Sequence, residues 1–530
     1  MIPTPRVRTG QTSQPITVPA PIGGLNGRDP LASMAPQDAY LMDNAFPGTA
    51  SVDSRKGTIK YSNASLGAPV QSLEVYAGGA GDRMLAWAGG RVYDVSTPIP
   101  QQLTSGLLSN LVVTTMFSNA ADNAQHLIIV SGFDQPRRYD GTALSTLNLT
   151  GMTGSQNTLN TVFAFKSRLY FGQRDRLGFY YLPVGAIQGA LSYFDLGQVA
   201  RRGGYLVAIA SFSESGNGST PNDYIVFITN KGEMIVYAGN DPSSVAGWAL
   251  VGRYYAAAPI GPKCTLNYGT ELILLTEEGA LPFSEIRRAG DAQAAGVAGA
   301  GYSAITSKLG NYLSAFNANA GVPGWQGVQY SGGGGWLLLN VPATSSISGQ
   351  YHHYVMNTTT NAWCRFTGWN GLTFTVFNKR LYFGRFDGFV MLADEGRFDD
   401  GVPVRCDIKQ AYNYFDDGSG MAFLQKHFQW AALLVSCDGE PPLSGKFNVD
   451  YSEDTPGYVN QLAPSAGAEW DLAAWDAGTW GDDGRTQRFI VTLNKGGVTG
   501  SLWLRASLQG LTLRWYATQY IMEKTKGLLI

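Results

Sequence analysis

The feature that most constrains the fold is a strand–turn–strand unit that recurs along the chain from about residue 68. Each copy joins an apolar strand, a polar or glycine-containing turn and a second strand that carries an aromatic residue. Two copies share the pentad Arg-Leu-Tyr-Phe-Gly, at Arg168–Gly172 and Arg380–Gly384. Hairpins repeated at irregular intervals of roughly 30–60 residues are typical of propeller blades, and a large sandwich is the alternative.

The pattern changes at both ends of this repeated region. Pro21–Gly57 is rich in glycine and proline and has the periodicity of neither helix nor strand. Beyond residue 400 the apolar runs lengthen, as in Arg488–Glu523. The sequence therefore predicts an all-β protein: an irregular β-propeller followed by a C-terminal β-sandwich-like domain, with an extended N-terminal arm. The predicted boundaries are 1–66 for the arm, 67–400 for the propeller and 401–530 for the sandwich.

Helical signals are scarce in this sequence. The best candidate for a helix is Ala294–Phe316, with Ser303 or Thr306 as its N-cap. The first half of this range is rich in glycine, which disfavours helix. We therefore expect at most a short helix that ends at Phe316.

Charge and cysteine content exclude several classes of protein. The chain has 38 basic and 40 acidic residues, a net charge of −2, so a tight nucleic-acid wrapper is not expected. The four cysteines are widely spaced without a CxxC pair, which indicates free buried thiols. No apolar run approaches the ~20 residues that cross a bilayer, and no secretory signal is apparent at the start. We expect a soluble protein that is made in the cytoplasm, without membrane insertion.

No set of residues predicts catalysis. The neighbours His352 and His353 would point to opposite faces of a strand, which disfavours a shared metal. Three Asp-Asp-Gly turns are open to calcium binding or to simple turn formation, and the second reading is favoured because EF-hand spacing is missing. We expect no catalytic, cofactor-binding or metal-binding residue, and a protein that is not an enzyme. The three turns are Asp399–Gly401, Asp416–Gly418 and Asp482–Gly484.

An aromatic segment near residue 475 has an unusual period. Trp470, Trp475 and Trp480 recur every five residues, which matches neither helix nor strand. The segment is similar to the aspartate box of sialidase-like propellers, although it occurs once and lacks the serine. Two readings remain: a sugar-binding platform, or aromatic anchoring of a loop or a subunit contact. The second reading is favoured.

Three ordered blocks resemble one family. The first, from Gly23, reads GGLNGRDPLASMAPQDAYLMDNAFPGTASVDSRKG. The second, Phe171–Leu206, contains YLPV, DLG and RRGGYL, and the third is Pro221–Cys264. Together these blocks resemble tail proteins of short-tailed bacteriophages, the tail nozzle (tail tubular or stopper) family.

This resemblance implies a structural role in the virion tail. By analogy with the family, a ring of six subunits extends the DNA channel below the portal and adaptor and helps to close it. The implied partners are other copies of the chain, the head-to-tail adaptor, tail fibre, spike or needle proteins, and double-stranded DNA in transit without tight binding. The Gly/Ala-rich segment Arg288–Gly301 is the candidate loop for closing the channel.

The resemblance also gives the N-terminal arm a role. An irregular segment must satisfy its backbone groups against another surface. We expect that surface to be the C-terminal domain or a neighbouring subunit, with Arg28, Asp29, Arg55 and Lys56 as polar contacts; packing within the chain is the alternative. The rival functions are a sialidase-like or lectin propeller that binds host glycans and, less favoured, a surface adhesin.

Overall fold

The structure is a computed structural model that divides into two compact units. It describes residues 14–79, 81–214, 222–294, 301–314, 318–319, 321–344, 350–416, 424–439, 442–459 and 485–528. Unit 1 comprises Met1–Thr58, Val355–Phe366 and Glu395–Ile530, and unit 2 comprises Ile59–Tyr354 and Thr367–Asp394. The sequence-based division at residues 66 and 400 stays a prediction; the contacts place residues 1–58 and 395–530 in the same unit.

The N-terminal segment contains short strands. Residues 14–60 form β1 (Gln14–Pro19), β2 (Gly24–Leu25), β3 (Asp38–Asp43), β4 (Ala45–Pro47), β5 (Val52–Ser54) and β6 (Thr58–Lys60).

The middle of the chain forms a succession of small sheets. Their strands are β7 (Val70–Tyr76), β8 (Arg83–Ala88), β9 (Arg91–Asp94), β10 (Gln101–Ser105), β11 (Val113–Ser118), β12 (Gln125–Val130), β13 (Arg137–Tyr139), β14 (Leu144–Thr146), β15 (Leu149–Thr150), β16 (Leu159–Phe165), β17 (Arg168–Gln173), β18 (Gly178–Tyr181), β19 (Gly189–Ala190), β20 (Ser192–Asp195), β21 (Leu206–Glu214), β22 (Asn222–Thr229), β23 (Glu233–Gly239), β24 (Trp248–Tyr255), β25 (Thr265–Tyr268), β26 (Glu271–Thr276), β27 (Gly279–Pro282), β28 (Gln326–Tyr330), β29 (Trp336–Pro342), β30 (Tyr351–Asn357), β31 (Trp363–Phe366), β32 (Gly371–Phe377), β33 (Arg380–Arg385) and β34 (Val390–Ala393).

The last part of the chain has longer strands, as its apolar runs predicted. They are β35 (Phe398–Asp399), β36 (Val402–Gln410), β37 (Leu424–Cys437), β38 (Leu443–Val449), β39 (Arg485–Gly497), β40 (Gly500–Leu508) and β41 (Leu513–Leu528).

Unit 2 is the predicted β-propeller. Its described residues form seven successive antiparallel sheets, the blades: β7–β10, β11–β14, β16–β18 with β20, β21–β24, β25–β27, β28–β29 with residues 351–354 of β30, and β32–β34. Within each blade the strands pair in the order in which they follow one another along the chain, which is the pairing that hairpin repeats predict. The all-β class is confirmed.

The repeated pentad marks equivalent positions in the third and seventh blades. It forms β17 and β33, each the second strand of its blade. The turns before these strands, Lys166–Ser167 and Asn378–Lys379, have positive φ at both residues, which is the backbone of a type I′ turn. The internal repeat seen in the sequence is therefore a repeat of blade geometry.

The last glycine of the pentad lets successive blades approach. A Cβ on Gly172 would meet Leu206, the first residue of the fourth blade, at 3.1 Å. A Cβ on Gly384 would meet Val70, the first residue of the first blade, at 2.6 Å. Because the seventh blade packs on the first in the same way as the third packs on the fourth, the circle of blades is closed.

Contacts join the remaining neighbours in the circle. Buried apolar clusters lie between the first and second, the second and third, and the third and fourth blades. Phe212 and Phe283, from the fourth and fifth blades, have ring centroids 4.7 Å apart. Gly327 of β28 lies against Leu266 of β25, and Gln326 donates a 2.8 Å hydrogen bond to a carbonyl of β32.

Unit 1 is a sandwich of two sheets, as predicted. One sheet has the strand order β39-β37-β41-β5-β4, with β1 also paired to β41. The other contains β38, β40, β36 and β3. Both sheets line a small apolar cavity of about 10 Å³ formed by Val435 and Trp515 from the first, and Cys406, Leu504 and Ala506 from the second.

The N-terminal segment supplies strands to both sheets of unit 1. β1 pairs with β41, the β4–β5 hairpin extends the same sheet, and β3 pairs with β36 in the other. Residues 14–58 of the predicted arm are therefore built into a sandwich of their own chain, and residues 59–66 belong to unit 2.

The predicted short helix near Thr306 is present in part: Thr306 is the N-cap position of a helical segment that continues into residue 314, while a longer helix precedes the predicted range. The α-helix α1 is Phe283–Ala294, whose buried residues Phe283, Ile286 and Ala289 recur at helical spacing. The described part of the predicted range contains a 3₁₀ segment, Ser307–Leu313. No described helix is long and apolar enough to span a membrane.

Two finer predictions for this region also change. Thr306 is the N-cap position of the 3₁₀ segment, but its Oγ1 accepts a hydrogen bond from the backbone N–H of Ala280 and caps nothing. The predicted closing loop Arg288–Gly301 is helical over its first residues, because α1 extends to Ala294. Residues 295–300 lie outside the described part of the chain.

Candidate assembly surface

The first N-terminal motif, GGLNGRD, is organised by Asn26. This side chain is fully buried, and its Oδ1 accepts hydrogen bonds from the backbone N–H groups of Arg28 and Asp29. Its Nδ2 donates to carboxylate oxygens of Asp29 and Asp38, at 2.8 and 2.7 Å. Sequence reasoning selected the charged residues of the motif and missed the amide that holds them. An asparagine before a Gly-x-Asp turn was the available signal.

The predicted contact residues Arg28 and Asp29 pair with each other. The Nε of Arg28 lies 2.8 Å from Asp29 Oδ1, and the Arg28 side chain is 54% exposed. This hydrogen bond raises the pKa of Arg28 above its ordinary value. Arg28 therefore remains accessible to a partner, while its charge is already balanced within the turn.

The predicted contact residue Arg55 is instead a buried anchor. Its guanidinium donates to both carboxylate oxygens of Asp399, at 2.8 and 2.5 Å, and its Nε donates to Asn44 Oδ1 at 2.7 Å. The side chain has no exposed surface. Arg55 thus binds a partner strand within its own unit, which is the alternative of packing within the chain.

The remaining residues of the Arg-Lys-Gly motif follow from the same packing. Lys56 is exposed, and its carbonyl accepts a hydrogen bond from Arg55. A Cβ on Gly57 would lie 1.9 Å from the carbonyl oxygen of Phe398, so only glycine fits beside β35. The motif therefore fixes the N-terminal segment to the strand that carries Asp399.

Two further groups from the sequence analysis have defined outcomes. Trp470, Trp475 and Trp480 lie outside the described residues. Within the first Asp-Asp-Gly turn, Asp399 is occupied by its pairing with Arg55. The described residues contain no cluster of three or more potential metal ligands.

Burial raises the pKa of all four cysteine thiols, which disfavours the reactive thiolate: Cys264, Cys364, Cys406 and Cys437.

A buried lysine stabilises the junction of β3, β36 and β40. Lys409 is 1% exposed, and its ammonium lies 5.3, 5.4 and 4.9 Å from the ring centroids of Tyr40, Tyr412 and Trp503. The exposed Glu453 lies 3.5 Å from Nζ. Desolvation lowers the pKa of Lys409, and the three rings partly compensate for the lost water. No local sequence pattern predicts this cage, because Tyr40 and Trp503 are far from Lys409 along the chain.

The outer face of the β37 sheet exposes apolar side chains. Trp430 pairs with Thr492 and Ile521 across the sheet, and Ala432 pairs with Ile490. Trp430 is 38% exposed and Ile490 is 62% exposed. Polar side chains such as Arg488, Thr492 and Gln519 also point outward here. We define the apolar outer face as the apolar residues that lie among them: Pro15, Trp430, Leu434, Ile490, Ala517 and Ile521.

This face ends at an edge strand of the sheet. Among the described residues, β39 has a strand partner on one side only, which is β37, and residues 460–484 before it lie outside the described part of the chain. β1, whose strand partner in the described ranges is β41, carries Pro15 and Pro19, residues that block strand addition. β39 contains no proline and exposes Ile490. The described geometry therefore combines exposed apolar side chains with an edge strand.

Comparisons with known proteins give no family. No family model matches the sequence, and no curated protein matches it. Among solved structures, the computationally designed Ika8 protein has 10% identity and a TM-score of 0.33, covering 64% of this chain and 99% of that one. BBS1N in complex with ARL6DN, soaked with lead, has 10% identity and a TM-score of 0.36, covering 65% of this chain and 99% of that one. The propeller assignment therefore depends on this chain's own blades.

Proposed function

We propose that this chain is a structural subunit of a bacteriophage tail nozzle that assembles into a closed homomeric ring. The observation that carries the proposal is the apolar outer face, which continues to the edge strand β39. Water-exposed tryptophan and isoleucine beside an edge strand are costly in a monomer and useful in an interface. The ordered sequence blocks that resemble tail nozzle proteins identify the occupant of that face as a second copy of this chain.

The anchoring of the N-terminal segment supports a structural role under tension. Its strands join both sheets of the sandwich, and its buried Arg55–Asp399 pair fixes it to β35. Pulling on the segment would break sheet hydrogen bonds along with this ion pair. A subunit that holds a DNA channel under internal pressure requires such anchoring.

The remaining partners follow from the same proposal. The ring, six-fold by resemblance, binds the head-to-tail adaptor on one side and a fibre, spike or needle protein on the other. Double-stranded DNA passes through the ring without tight binding, which agrees with 38 basic against 40 acidic residues. The protein acts in the virion tail after assembly in the host cytoplasm, and it is not an enzyme.

A substitution on the outer face tests the proposal. Ile490→Asp places a charge on the edge strand β39, where the side chain is 62% exposed. We expect self-association to weaken at least about tenfold, because a buried unpaired charge opposes the interface. Ile99→Asp is the matched control, since Ile99 is also 62% exposed but lies in the propeller unit.

Sedimentation velocity over a concentration series measures the effect. The proposal predicts that the wild-type protein and Ile99→Asp associate equally and that Ile490→Asp remains smaller. Equal association of Ile490→Asp and the wild type would show that this face is not the interface. Far-UV circular dichroism confirms that each variant is folded.

A further inference from the structure

A cavity lies at one end of the central axis of the propeller. It has a volume of about 230 Å³ and is enclosed by residues from six of the seven blades. Most lining residues lie at or before the start of the first strand of a blade, as Trp325 does before β28, and others directly follow the second strand, as Arg174 follows β17. This axial pocket therefore lies at the end where the inner strands start. All of its lining belongs to unit 2.

Three of the lining side chains are placed there by β-bulges. The pairing between first and second strands skips Gln71 in the first blade, Asn160 in the third and Leu372 in the seventh. Each skipped residue lines the axial pocket. A bulge turns a side chain away from the regular alternation and is common beside binding sites. In three blades, therefore, the second residue of the first strand is a bulge residue that lines the same cavity.

The lining is largely apolar, with one unsatisfied acceptor. Leu111, Phe133 and Leu372 contribute to the walls. The Oδ1 of Asn160 is buried and accepts no hydrogen bond from any described residue. Gly132, with φ of +78°, brings the neighbouring turn against Asn160, where a Cβ would lie 2.8 Å from the Asn160 Cβ. A buried acceptor of this kind is satisfied by a ligand or by water.

The charged residues of the lining are both cationic. Arg174 and Lys263 line the pocket, and no carboxylate does. The Lys263 ammonium lies 2.6 Å from Oε1 of Glu74, which is not one of the lining residues. The Arg174 guanidinium lies 4.6 Å from the centroid of the Phe133 ring, and its contact with the exposed Asp175 is 3.6 Å long. An exposed pair at this distance contributes little, so the Arg174 charge is available to a ligand.

We propose that the axial pocket binds a small organic anion, an apolar ring body that bears one carboxylate. The body fills the space between Leu111 and Leu372, and the carboxylate accepts a charge-assisted hydrogen bond from Arg174. A water molecule beside the ligand satisfies the Asn160 acceptor, because an ionised carboxylate has no donor. A cavity that combines apolar walls with a few converging polar groups is the usual form of a small-molecule site.

A matched pair of probes tests the charge requirement. Naphthoate and naphthamide have the same ring system, and only naphthoate is an anion at neutral pH. Isothermal titration calorimetry on the full chain is expected to show one naphthoate site and binding weaker by about tenfold for naphthamide, the effect of one charge-assisted contact. Equal affinities, or no naphthoate binding up to millimolar concentration, would overturn the proposal.

Three variants locate the site. Arg174→Gln is expected to weaken naphthoate about tenfold and to leave naphthamide unchanged. Arg176→Gln is the matched control, because Arg176 is exposed in the same turn and does not line the pocket. Leu111→Trp fills the cavity and is expected to abolish binding of both probes.

Each result of these variants bears on the proposal. Equal naphthoate affinities for Arg174→Gln and Arg176→Gln would overturn it, as would unchanged binding to a folded Leu111→Trp protein. If Leu111→Trp fails to fold by circular dichroism, the two arginine variants decide, because Arg174 is 39% exposed and its replacement leaves the core intact. None of these results depends on whether the chain forms a ring.

Discussion

Arg55 links the N-terminal segment to the rest of unit 1 through a fully buried guanidinium. Replacing Arg55 by Ala removes one partner of a buried pair, together with the hydrogen bonds that Arg55 donates to Asp399 and to Asn44 Oδ1. We expect the free energy of unfolding to fall by about 3–5 kcal/mol, the cost of an uncompensated buried charge. Urea unfolding monitored by circular dichroism measures it.

The control for this prediction is Arg28→Ala. Arg28 belongs to the same segment and also pairs with an aspartate, but its side chain is 54% exposed. Its loss is expected to cost less than about 0.5 kcal/mol. Equal destabilisation by the two substitutions would contradict the assignment of Arg55 as an anchor.

Lys426 gives unit 1 a distinctive response to pH. Its Nζ donates to the carbonyls of Leu424 and Val498, and burial lowers its pKa from 10.5 to about 8. At this group the unfolded chain therefore binds more protons than the folded chain between pH 8 and 10.5, so the contribution of Lys426 to stability rises with pH in that window. The raised pKa values of the four buried cysteine thiols, and of tyrosines such as Tyr520, act in the opposite direction from about pH 9 upward, so the contribution of Lys426 is measured as a difference between variants.

Urea unfolding between about pH 8 and 10 tests this effect. We expect the stability of the wild type, relative to that of Lys426→Met, to rise by about 1–2 kcal/mol across the window. Lys495→Met, at a partly exposed lysine paired with Asp454, should follow the wild-type profile. A difference between the wild type and Lys426→Met that stays constant over this range would contradict the assignment.

At the scale of elements, the type I′ turn of the third blade contains a strained residue. Ser167 has φ of +59° in the turn Lys166–Ser167, a conformation that costs L-residues roughly 1–2 kcal/mol. Ser167→Gly should therefore stabilise the propeller by about 1 kcal/mol, because glycine is the preferred residue there. Lys379→Gly in the equivalent turn of the seventh blade should act in the same direction.

Chemical denaturation compares these turn variants with Ser145→Gly. Ser145 lies in β14, where glycine adds backbone freedom and should destabilise. Opposite signs for Ser167→Gly and Ser145→Gly are expected. Destabilisation by both substitutions would contradict the turn geometry and the equivalence of the two blades.

The sequence predicted those elements whose signals are local. Turn residues and alternating apolar positions predicted the hairpins, and the shared pentad predicted which strands are equivalent. The α-helix Phe283–Ala294 was not predicted, because its apolar spacing covers only three buried residues: Phe283, Ile286 and Ala289. Closure of the propeller depends on packing between Val70 and Gly384, which are far apart in the chain, and no local pattern reports it.

The candidate sites were harder to predict for a related reason. Charge selected Arg28 and Arg55 equally, yet burial makes one a surface residue and the other an anchor. The apolar outer face combines residues from β1, β37, β39 and β41, so it exists only after these strands pair. The axial pocket depends on bulges at Gln71, Asn160 and Leu372, and a bulge is a property of register between two strands.

At the scale of the whole molecule, the central claim is assembly into a closed ring. Native mass spectrometry of the purified full-length protein, over a rising concentration series, tests it most directly. The account predicts one dominant closed species, six times the 56.9 kDa of a single chain, with six-fold symmetry in negative-stain images. A monomer at every concentration, or a two-fold dimer that persists as the final species, would contradict it.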